Sequence, residues 1–243
     1  MTQSNTHNAA VLVISSQVID GQVGIQAIAP GLRAFGLGCI GLPTTLLAAH
    51  PAAYPQAGPP AGGALPAKHI TEFADWLMSA GAFEELAGVL TGYMPSVEHV
   101  EATADAIDLL RAQKPDLPVC CDPICGDNER LYLPREVAAA LGEHLLPRAG
   151  IATPNLFELG HLTGTGPLEQ TQDAARAAQE ALGWDVAAST DGDRVLIAIT
   201  GPDGAPVAPP EMSLITSAPA SMAAAATLAL VVSTDSRIVF AHA

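Results

Sequence analysis

Short apolar segments that end in turn-forming residues alternate with helical segments along most of this 243-residue chain. We predict strands over residues 10–16, 39–43, 88–93, 119–120, 150–152, 186–190 and 194–200. Helices are predicted over residues 25–35, 69–80, 96–113, 134–145, 155–162 and 171–182. This alternation predicts a single α/β domain over residues 1–243, a three-layer sandwich with a mostly parallel central sheet and helices on both faces. The strands after residue 185 are expected to form an antiparallel edge.

Residues 51–66 interrupt the alternation. The segment is rich in Pro, Gly and Ala, so no regular structure is expected there. A long irregular segment directly after a predicted strand end is typical of a lid, a binding loop or a linker, and we favour a lid. His50, at its entrance, is interpreted as a loop residue rather than a catalyst.

Charge and hydropathy exclude several classes of protein. The net charge is −15 with ten Lys and Arg, which argues against nonspecific binding to nucleic acid or anionic lipid. No apolar run long enough to span a bilayer precedes the tail, and the first ten residues lack the features of a signal peptide. The four cysteines lack the spacing of a zinc site and are predicted to be free thiols in a reducing cytoplasm.

Two predicted strands end in the sequences CDPICGD (residues 121–127) and TPNLFE (residues 153–158). Because the carboxyl ends of parallel strands line one crevice, Asp122, Asp127, Asn155 and Glu158 are expected to converge there. Carboxylate and amide oxygens suit a hydrated divalent cation and the phosphates it carries. The pattern therefore predicts phosphoryl transfer. Asn155 and Glu158 also fit a helix start, and the two interpretations are compatible.

Two further motifs precede these in the chain, SSQVIDGQVG (residues 15–24) and TGY (residues 91–93). The four motifs, in their order along the chain, resemble the pyridoxal kinases, the vitamin B6 branch of the ribokinase-like superfamily. The resemblance covers roughly residues 11–219. It implies a ribokinase-like fold, a homodimer, Mg²⁺, and ATP as co-substrate. It also implies transfer of the γ-phosphate of ATP to the 5'-hydroxymethyl group of pyridoxal or a related B6 vitamer.

The resemblance assigns site residues by position. Ser16 at the end of the first strand, Thr44 after the second strand (with Thr45 as a fallback) and Tyr93 would contact the vitamin. An alternative is that these hydroxyls cap helices or bond to backbone groups. The residues implied at ATP and its phosphates are Asp122, Asp127, Asn155, Glu158, Ser189 and Thr190, with Asp127 and Glu158 at the metal. Tyr132 and Thr153 match nearby family positions, and Ser189 and Thr190 also fit a turn before Asp191.

One departure from the family concerns the catalytic step. Superfamily kinases carry a GxGD sequence whose glycine amides bind the transferred phosphate and whose aspartate accepts the substrate proton. No GxGD occurs in this chain. In the register of the Ala218–Pro219 pair, Ser221 and Ala223 replace the glycines and Ala224 replaces the aspartate. No catalytic residue is therefore assigned, and residues 217–243 are expected to be a truncated or altered tail.

Three functions remain open from the sequence. The first is a pyridoxal kinase whose activity is impaired by the missing GxGD. The second is a catalytically inactive pseudokinase that binds vitamin B6 or nucleotide. The third is an enzyme similar to hydroxymethylpyrimidine kinases, which act on a related ring.

Overall fold

The computed structural model describes residues 9–127, 130–164, 186–191, 194–199, 228–232 and 238–242. Their strands are β1 (Ala10–Asp20), β2 (Gly38–Ala49), β3 (Gly62–Ala64), β4 (Leu86–Thr91), β5 (Val119–Cys121), β6 (Gly126–Asp127), β7 (Arg130–Leu131), β8 (Ile151–Ala152), β9 (Val186–Asp191), β10 (Arg194–Ile199), β11 (Leu228–Val232) and β12 (Ile238–His242). The helices are α1 (Ile25–Ala34), α2 (Lys68–Ser79), α3 (Val97–Gln113), α4 (Arg135–Ala140) and α5 (Leu156–Thr163).

Eight strands form one sheet in the order β10-β9-β8-β5-β4-β1-β2-β3. The pairs within the series from β9 to β2 are parallel, whereas β3 and β10 run antiparallel at the two edges. The predicted α/β fold with a mostly parallel sheet is therefore confirmed. The expected antiparallel edge after residue 185 is also confirmed, because β10 pairs antiparallel with β9, while β9 itself pairs parallel with β8.

Both faces of the sheet are covered, as the near-continuous apolar character of β1 predicts. Leu12 and Ile14 point into a core shared with α2, α3 and α4. Val11 and Val13 point to the opposite face, into a smaller core with Ile25 and other residues of α1. The alternation of side chains along one strand thus supplies two cores and three layers.

The first two strands are longer than predicted. The predicted ends at residues 16 and 43 are wrong, because β1 and β2 pair as far as Asp20 and Ala49. β4 pairs with β1 only as far as Ile14, so the last parts of β1 and β2 continue past the end of β4, with β3 paired on the far side of β2. On this part of β1, Val18 is buried, Gln17 is half-buried, and Ile19 and Asp20 are exposed, so polar residues are accommodated beside buried ones.

Residues 51–66 are more regular than predicted. They contain a 3₁₀ turn (Pro55–Ala57) and the strand β3, which pairs with Thr45–Leu47 of β2. The sequence GGA gives no side-chain signal for a strand, and β3 is held by backbone pairing alone. We call residues 51–66 the flap.

Other elements follow the sequence with small differences. The helix predicted from Pro134 begins at Arg135, continues as a π-helical turn (Leu141–Leu145) and ends in a 3₁₀ turn (Leu146–Arg148). The helix predicted over 171–182 lies outside the described residues. In the tail, β11 and β12 pair antiparallel, which the sequence did not predict.

All four cysteines are free, with Cys120, Cys121 and Cys125 buried, as predicted. Burial raises the pKa of Cys121 and of Cys125 to about 12. Within the described ranges, the helices are too short or too polar to cross a bilayer.

Candidate active site

Three neighbouring parallel strands end side by side at one edge of the sheet. Thr91 of β4 pairs with Cys121 of β5, which in turn pairs with Ala152 of β8. The ladder extends one step further, since the amide of Asp122 donates to the Thr91 carbonyl at 2.9 Å and that of Thr153 to the Cys121 carbonyl at 3.0 Å. The two sequence motifs that follow β5 and β8 therefore start next to each other, as expected from the sheet topology.

The side chains of Asn155 and Glu158 close the start of α5. Asn155 Oδ1 accepts from the Glu158 amide at 2.8 Å, and the Asn155 amide donates to Glu158 Oε2 at 2.9 Å. This reciprocal arrangement is a capping box. The interpretation of these two residues as a helix start is confirmed.

The same two side chains also hold the loop that follows β5. Glu158 Oε1 accepts from the amides of Cys125 at 2.9 Å and Gly126 at 3.4 Å. Asn155 Nδ2 donates to the Gly126 carbonyl at 2.9 Å. The cap of α5 and the CDPICGD loop are therefore one hydrogen-bonded unit, which we call the carboxyl-edge clamp (Asn155, Glu158 and the backbone of residues 125–126).

Gly126 is the point of closest approach in this clamp. A Cβ at this position would lie 2.3 Å from Phe157 Cε1 and 2.8 Å from the Arg130 carbonyl oxygen, so a side chain does not fit. The Phe157 ring in turn stacks on His161, with centroids 6.1 Å apart. The glycine of CDPICGD is thus required by packing against α5.

Two acidic groups in this region have perturbed ionisation. Glu158 is 4% exposed, and burial, followed by the charge of Asp122, raises its pKa to about 8. The three backbone amides that it binds act in the opposite direction. Burial also raises the pKa of Asp122 to about 7, and the nearby Thr153 side chain acts in the opposite direction. Each carboxyl group therefore becomes fully charged only with a nearby cation or at alkaline pH.

The donor set fits a hydrated cation better than a directly coordinated one. Within the described residues, no three His, Cys, Asp or Glu side chains are grouped as a metal site. Glu158 uses three of about four lone-pair positions for backbone amides, which leaves one for water. Magnesium retains several of its waters when bound to proteins, so a contact through water suits this geometry.

A second group of polar residues lies at Gly92, next to the CDPICGD loop that the clamp holds. The Thr44 hydroxyl donates to the Tyr93 carbonyl at 2.7 Å, and the Tyr93 amide donates to Ser15 Oγ at 3.3 Å. Thr44 and Ser15 are buried, and burial raises the pKa of the half-buried Tyr93. A Cβ at Gly92 would lie 2.5 Å from Ser15 Oγ and 3.6 Å from Ile124 Cδ1, so this cluster borders the CDPICGD loop.

The structure changes the location of two predicted substrate contacts. Ser16 and Thr44 lie within β1 and β2, where they were expected at or after the strand ends. A register shift between Ser15 and Ser16 separates the two serines, and Ser15 is the one that contacts Tyr93. Thr45 is 5% exposed, and its hydroxyl has no hydrogen-bond partner among the described residues.

For the remaining predicted site residues, the structure gives the exposure of some and does not describe the side chains of others. Tyr132 is 50% exposed, and Thr153 is buried directly after β8. His50 is exposed, with Nδ1 accepting from the Ala52 amide at 3.2 Å. The side chains of Asp127, Ser189 and Thr190, and the whole of Ser221, Ala223 and Ala224, lie outside the described part of the chain.

Two residues near the site were missed by the sequence analysis. Ser15 contacts a residue 78 positions away in sequence, and buried His99 contacts the flap residue Leu65, 34 positions away. The adjacent hydroxyls of Ser15 and Ser16 gave a signal for the first. A histidine on the apolar side of the helix predicted over 96–113 gave one for the second.

The chain is similar to phosphomethylpyrimidine kinases and to pyridoxal kinases. A family model described as phosphomethylpyrimidine kinase matches residues 65–189, just over half of the chain. A pyridoxine/pyridoxal/pyridoxamine kinase of Bordetella avium is 38% identical over 183 residues, which cover 74% of this chain and 60% of the relative. The chain thus spans about three fifths of the length of the curated relatives it matches.

Solved structures give the same result. Pyridoxal kinase from Leishmania donovani in complex with ADP and pyridoxamine superposes with a TM-score of 0.70 at 29% identity, covering 82% of this chain and 70% of that one. Pyridoxal kinase from Entamoeba histolytica gives 0.68 at 28% identity, covering 81% and 70%. A second family model, FixH, matches residues 169–243, which include the tail predicted to be atypical.

Proposed function

Because the chain belongs to the pyridoxal kinase family of the ribokinase-like superfamily, we propose that it binds a B6 vitamer and ATP at the carboxyl edge of its sheet. The reaction is transfer of the γ-phosphate of ATP to the 5'-hydroxymethyl group of pyridoxal. The observation that carries this proposal is the position of the carboxyl-edge clamp beside the cluster of Ser15, Thr44 and Tyr93. A phosphate site and a ring site are then neighbours at Gly92.

The clamp would form the nucleotide side of the site. Asn155 and Glu158 hold the backbone of residues 125–126 in place, and Asp127, Ser189 and Thr190 are proposed contacts to ATP and its phosphates. Magnesium, when bound, would neutralise the phosphates and be held through water by Glu158, Asp122 and Asp127. The raised pKa of Asp122 and Glu158 is the signature expected of carboxyl groups placed to meet a cation.

The cluster of Ser15, Thr44 and Tyr93 would hold the vitamin. The hydrogen of the Thr44 hydroxyl is committed to the Tyr93 carbonyl, so towards a ligand this oxygen can only accept. The Tyr93 ring is half-buried and offers an apolar wall to a pyridine ring. Ser16 is the proposed hydroxyl contact to the ring. Thr45 has a buried hydroxyl that a ligand would satisfy.

The chemical step is proposed to be slow. Transfer requires that the substrate hydroxymethyl group lose its proton, and Ala224 cannot accept one. The loss of a general base typically removes about two to four powers of ten in rate. Methyl groups and a hydroxymethyl at Ala223 and Ser221 would also crowd the amides that bind the transferred phosphate.

Formation of pyridoxal 5'-phosphate from pyridoxal and Mg-ATP tests the proposal. We expect slow, Mg-dependent turnover that rises about a hundredfold or more in the triple variant S221G/A223G/A224D. Calorimetry with pyridoxal and with ATP measures binding separately. A wild-type rate equal to that of a complete family member would refute the impairment. Failure to bind either ligand would refute the assignment itself.

A second candidate is a noncatalytic protein that binds vitamin B6 or nucleotide. The sequence after Ala218–Pro219 favours it, because neither glycine nor aspartate of the GxGD signature is present. Tight binding without turnover, unchanged in the triple variant, would identify this function. A third candidate, phosphorylation of a hydroxymethylpyrimidine, is kept because of the matching family model. Competition between the two rings in one assay decides between these substrates.

The organisation of the protein is also a proposal. We expect one domain over residues 1–243 with the flap as a lid, a homodimer, and a cytoplasmic location. Free, largely buried cysteines and the absence of a long apolar helix in the described ranges support the last of these. Sedimentation at several protein concentrations tests the dimer.

A further inference from the structure

His99 is a buried histidine that belongs to neither side of the proposed site. It lies on α3 and is 5% exposed. Its Nδ1 is 2.9 Å from Ser96 Oγ, and its Nε2 is 2.7 Å from the carbonyl oxygen of Leu65. Because a carbonyl only accepts, Nε2 carries a hydrogen and donates it to Leu65.

Leu65 is the flap residue that contacts the proposed vitamin pocket, which we define as Ser15, Thr44 and Tyr93. Its amide donates to the Thr44 carbonyl at 2.9 Å, directly after β3 pairs with β2. The Thr44 hydroxyl donates to the Tyr93 carbonyl at 2.7 Å. Leu65 therefore connects His99 to Thr44, and the hydroxyl of Thr44 bonds in turn to Tyr93.

These contacts form a closed circuit. Starting from Tyr93, the chain passes through the start of α3 to His99, then by a hydrogen bond to Leu65, then to Thr44, and back to Tyr93. A closed circuit fixes the separation of Thr44 and Tyr93 more firmly than any one of its bonds. The circuit depends on His99, because the bond from its side chain to Leu65 is the step that joins α3 to the flap.

We propose that His99 is a positioning residue for the vitamin. It holds Leu65, and through Leu65 the backbone of Thr44, at the distance from Tyr93 that the ring requires. The proposal rests on the function proposed above for Thr44 and Tyr93. It does not involve the carboxyl-edge clamp, so the nucleotide side is expected to be unaffected.

The shapes of the two amide side chains allow a matched test. The Gln amide reaches about as far as imidazole Nε2, so H99Q can still donate to the Leu65 carbonyl. The shorter Asn amide corresponds in position to Nδ1, so H99N cannot. We expect H99Q to behave like the wild type, and H99N and H99A to lose the link. H69A is the control, because His69 lies on α2, partly exposed, stacked on Phe73.

The first measurement is hydrogen exchange of the Leu65 amide in the full chain. It is bonded to the Thr44 carbonyl, and its exchange is expected to become about tenfold faster or more in H99A and H99N. H99Q and H69A are expected to exchange like the wild type. This readout does not depend on kinase activity. Unchanged exchange in both H99A and H99N would overturn the proposal.

The second measurement separates the two ligands. The KM, or the calorimetric dissociation constant, for pyridoxal is expected to rise about five- to tenfold in H99A and H99N, with that for ATP unchanged. Restoration by H99Q supports positioning through the Nε2 bond. An equal loss of pyridoxal and ATP binding would overturn it in favour of a general structural role. If the wild type binds no pyridoxal, the proposed function fails, whereas the exchange data still decide whether His99 holds the flap.

Discussion

The residue that best explains the candidate site is Asn155, because its side chain makes two bonds with different consequences. Oδ1 caps α5 by accepting from the Glu158 amide, and Nδ2 donates to the Gly126 carbonyl in the neighbouring loop. A typical N-cap contributes about 1 kcal/mol to stability. The second bond adds little to the helix but fixes the backbone proposed to lie beside phosphate.

Two substitutions at Asn155 separate these roles. N155A removes both bonds and is expected to lower the free energy of unfolding by about 1–2 kcal/mol and to weaken ATP binding. N155S keeps a capping hydroxyl but has no amide to reach Gly126, so stability is largely restored and ATP affinity is not. Chemical denaturation and calorimetry provide the two readouts. ATP binding by N155S as tight as that of the wild type would contradict the role given to Nδ2.

The ionisation of Glu158 and Asp122 predicts a pH dependence of stability. Their ordinary pKa values are 4.5 and 3.8, and in the folded chain they rise to about 8 and about 7. Between these limits the folded state holds protons that the unfolded state releases. The stabilisation is therefore fully present below about pH 4, falls progressively as the unfolded state ionises, and is lost once the pH has risen through the folded pKa values of about 7 and about 8.

The measurement is the free energy of unfolding at pH 5.5 and 8.5. We expect a fall on going to the higher pH, and E158Q should reduce that fall by an amount on the order of 1–3 kcal/mol, because glutamine does not ionise. E143Q is the matched control, since Glu143 is exposed. An identical pH dependence in E158Q and the wild type would show that Glu158 is ionised throughout, as its three backbone amides alone would favour.

At the scale of elements, the flap depends on the conformation of Gly62. This residue has φ of 109° and starts β3, and a Cβ there would lie 2.1 Å from the Leu46 carbonyl oxygen. A Cβ at the neighbouring Gly63 would have no atom within 4 Å, and the φ of this residue is not unusual. A side chain at Gly62 would therefore clash with β2, whereas a side chain at Gly63 would not.

G62A is expected to detach β3 from β2, whereas G63A is expected to leave the pairing intact. The strained backbone and the clash cost roughly 1–3 kcal/mol, which exceeds what a three-residue strand held by backbone bonds can offset. Limited proteolysis within residues 51–66 should be faster in G62A, with a higher KM for pyridoxal. Equal cleavage of G62A, G63A and the wild type would show that the flap is held by its other contacts, such as that of Tyr54 with Asp20.

The elements recovered from the sequence are those whose side chains report their environment. The buried centres of β1, β4 and β5 are apolar, and Asn155 with Glu158 three positions later is a helix-start pattern. The lengths of β1 and β2 were not recoverable, because the two strands extend each other past β4 through pairing with residues about 30 positions apart. β3 carries no side-chain pattern at all.

The site was recovered to a similar extent and for similar reasons. Asp122, Asn155 and Glu158 follow strand ends, and the topology of a parallel sheet is enough to bring them together. The sequence did not reveal that Glu158 Oε1 accepts hydrogen bonds from the backbone amides of Gly126 and Cys125, since these residues lie 32 and 33 positions away. Likewise, Ser15 and His99 act through contacts that only the folded chain creates.

For the molecule as a whole, the two sides of the site should respond to ligands separately from catalysis. The binding proposed for Mg-ATP at the carboxyl-edge clamp, and for pyridoxal at the cluster of Ser15, Thr44 and Tyr93, needs no general base, whereas turnover does. A chain that lacks GxGD can therefore be stabilised by both ligands while forming little product. This distinction holds whichever of the first two candidate functions is correct.

Ligand-induced stabilisation tests this expectation on the intact chain. A ligand at a hundred times its dissociation constant stabilises the folded state by about 2.7 kcal/mol, which for a chain of this size raises Tm by about 5–10 °C. We expect Mg-ATP and pyridoxal each to raise Tm in the wild type. N155A should respond to pyridoxal and less to Mg-ATP, and H99A should show the reverse. If both variants lost both responses together, the clamp and the vitamin pocket would be one cooperative unit rather than two neighbouring sites joined at Gly92.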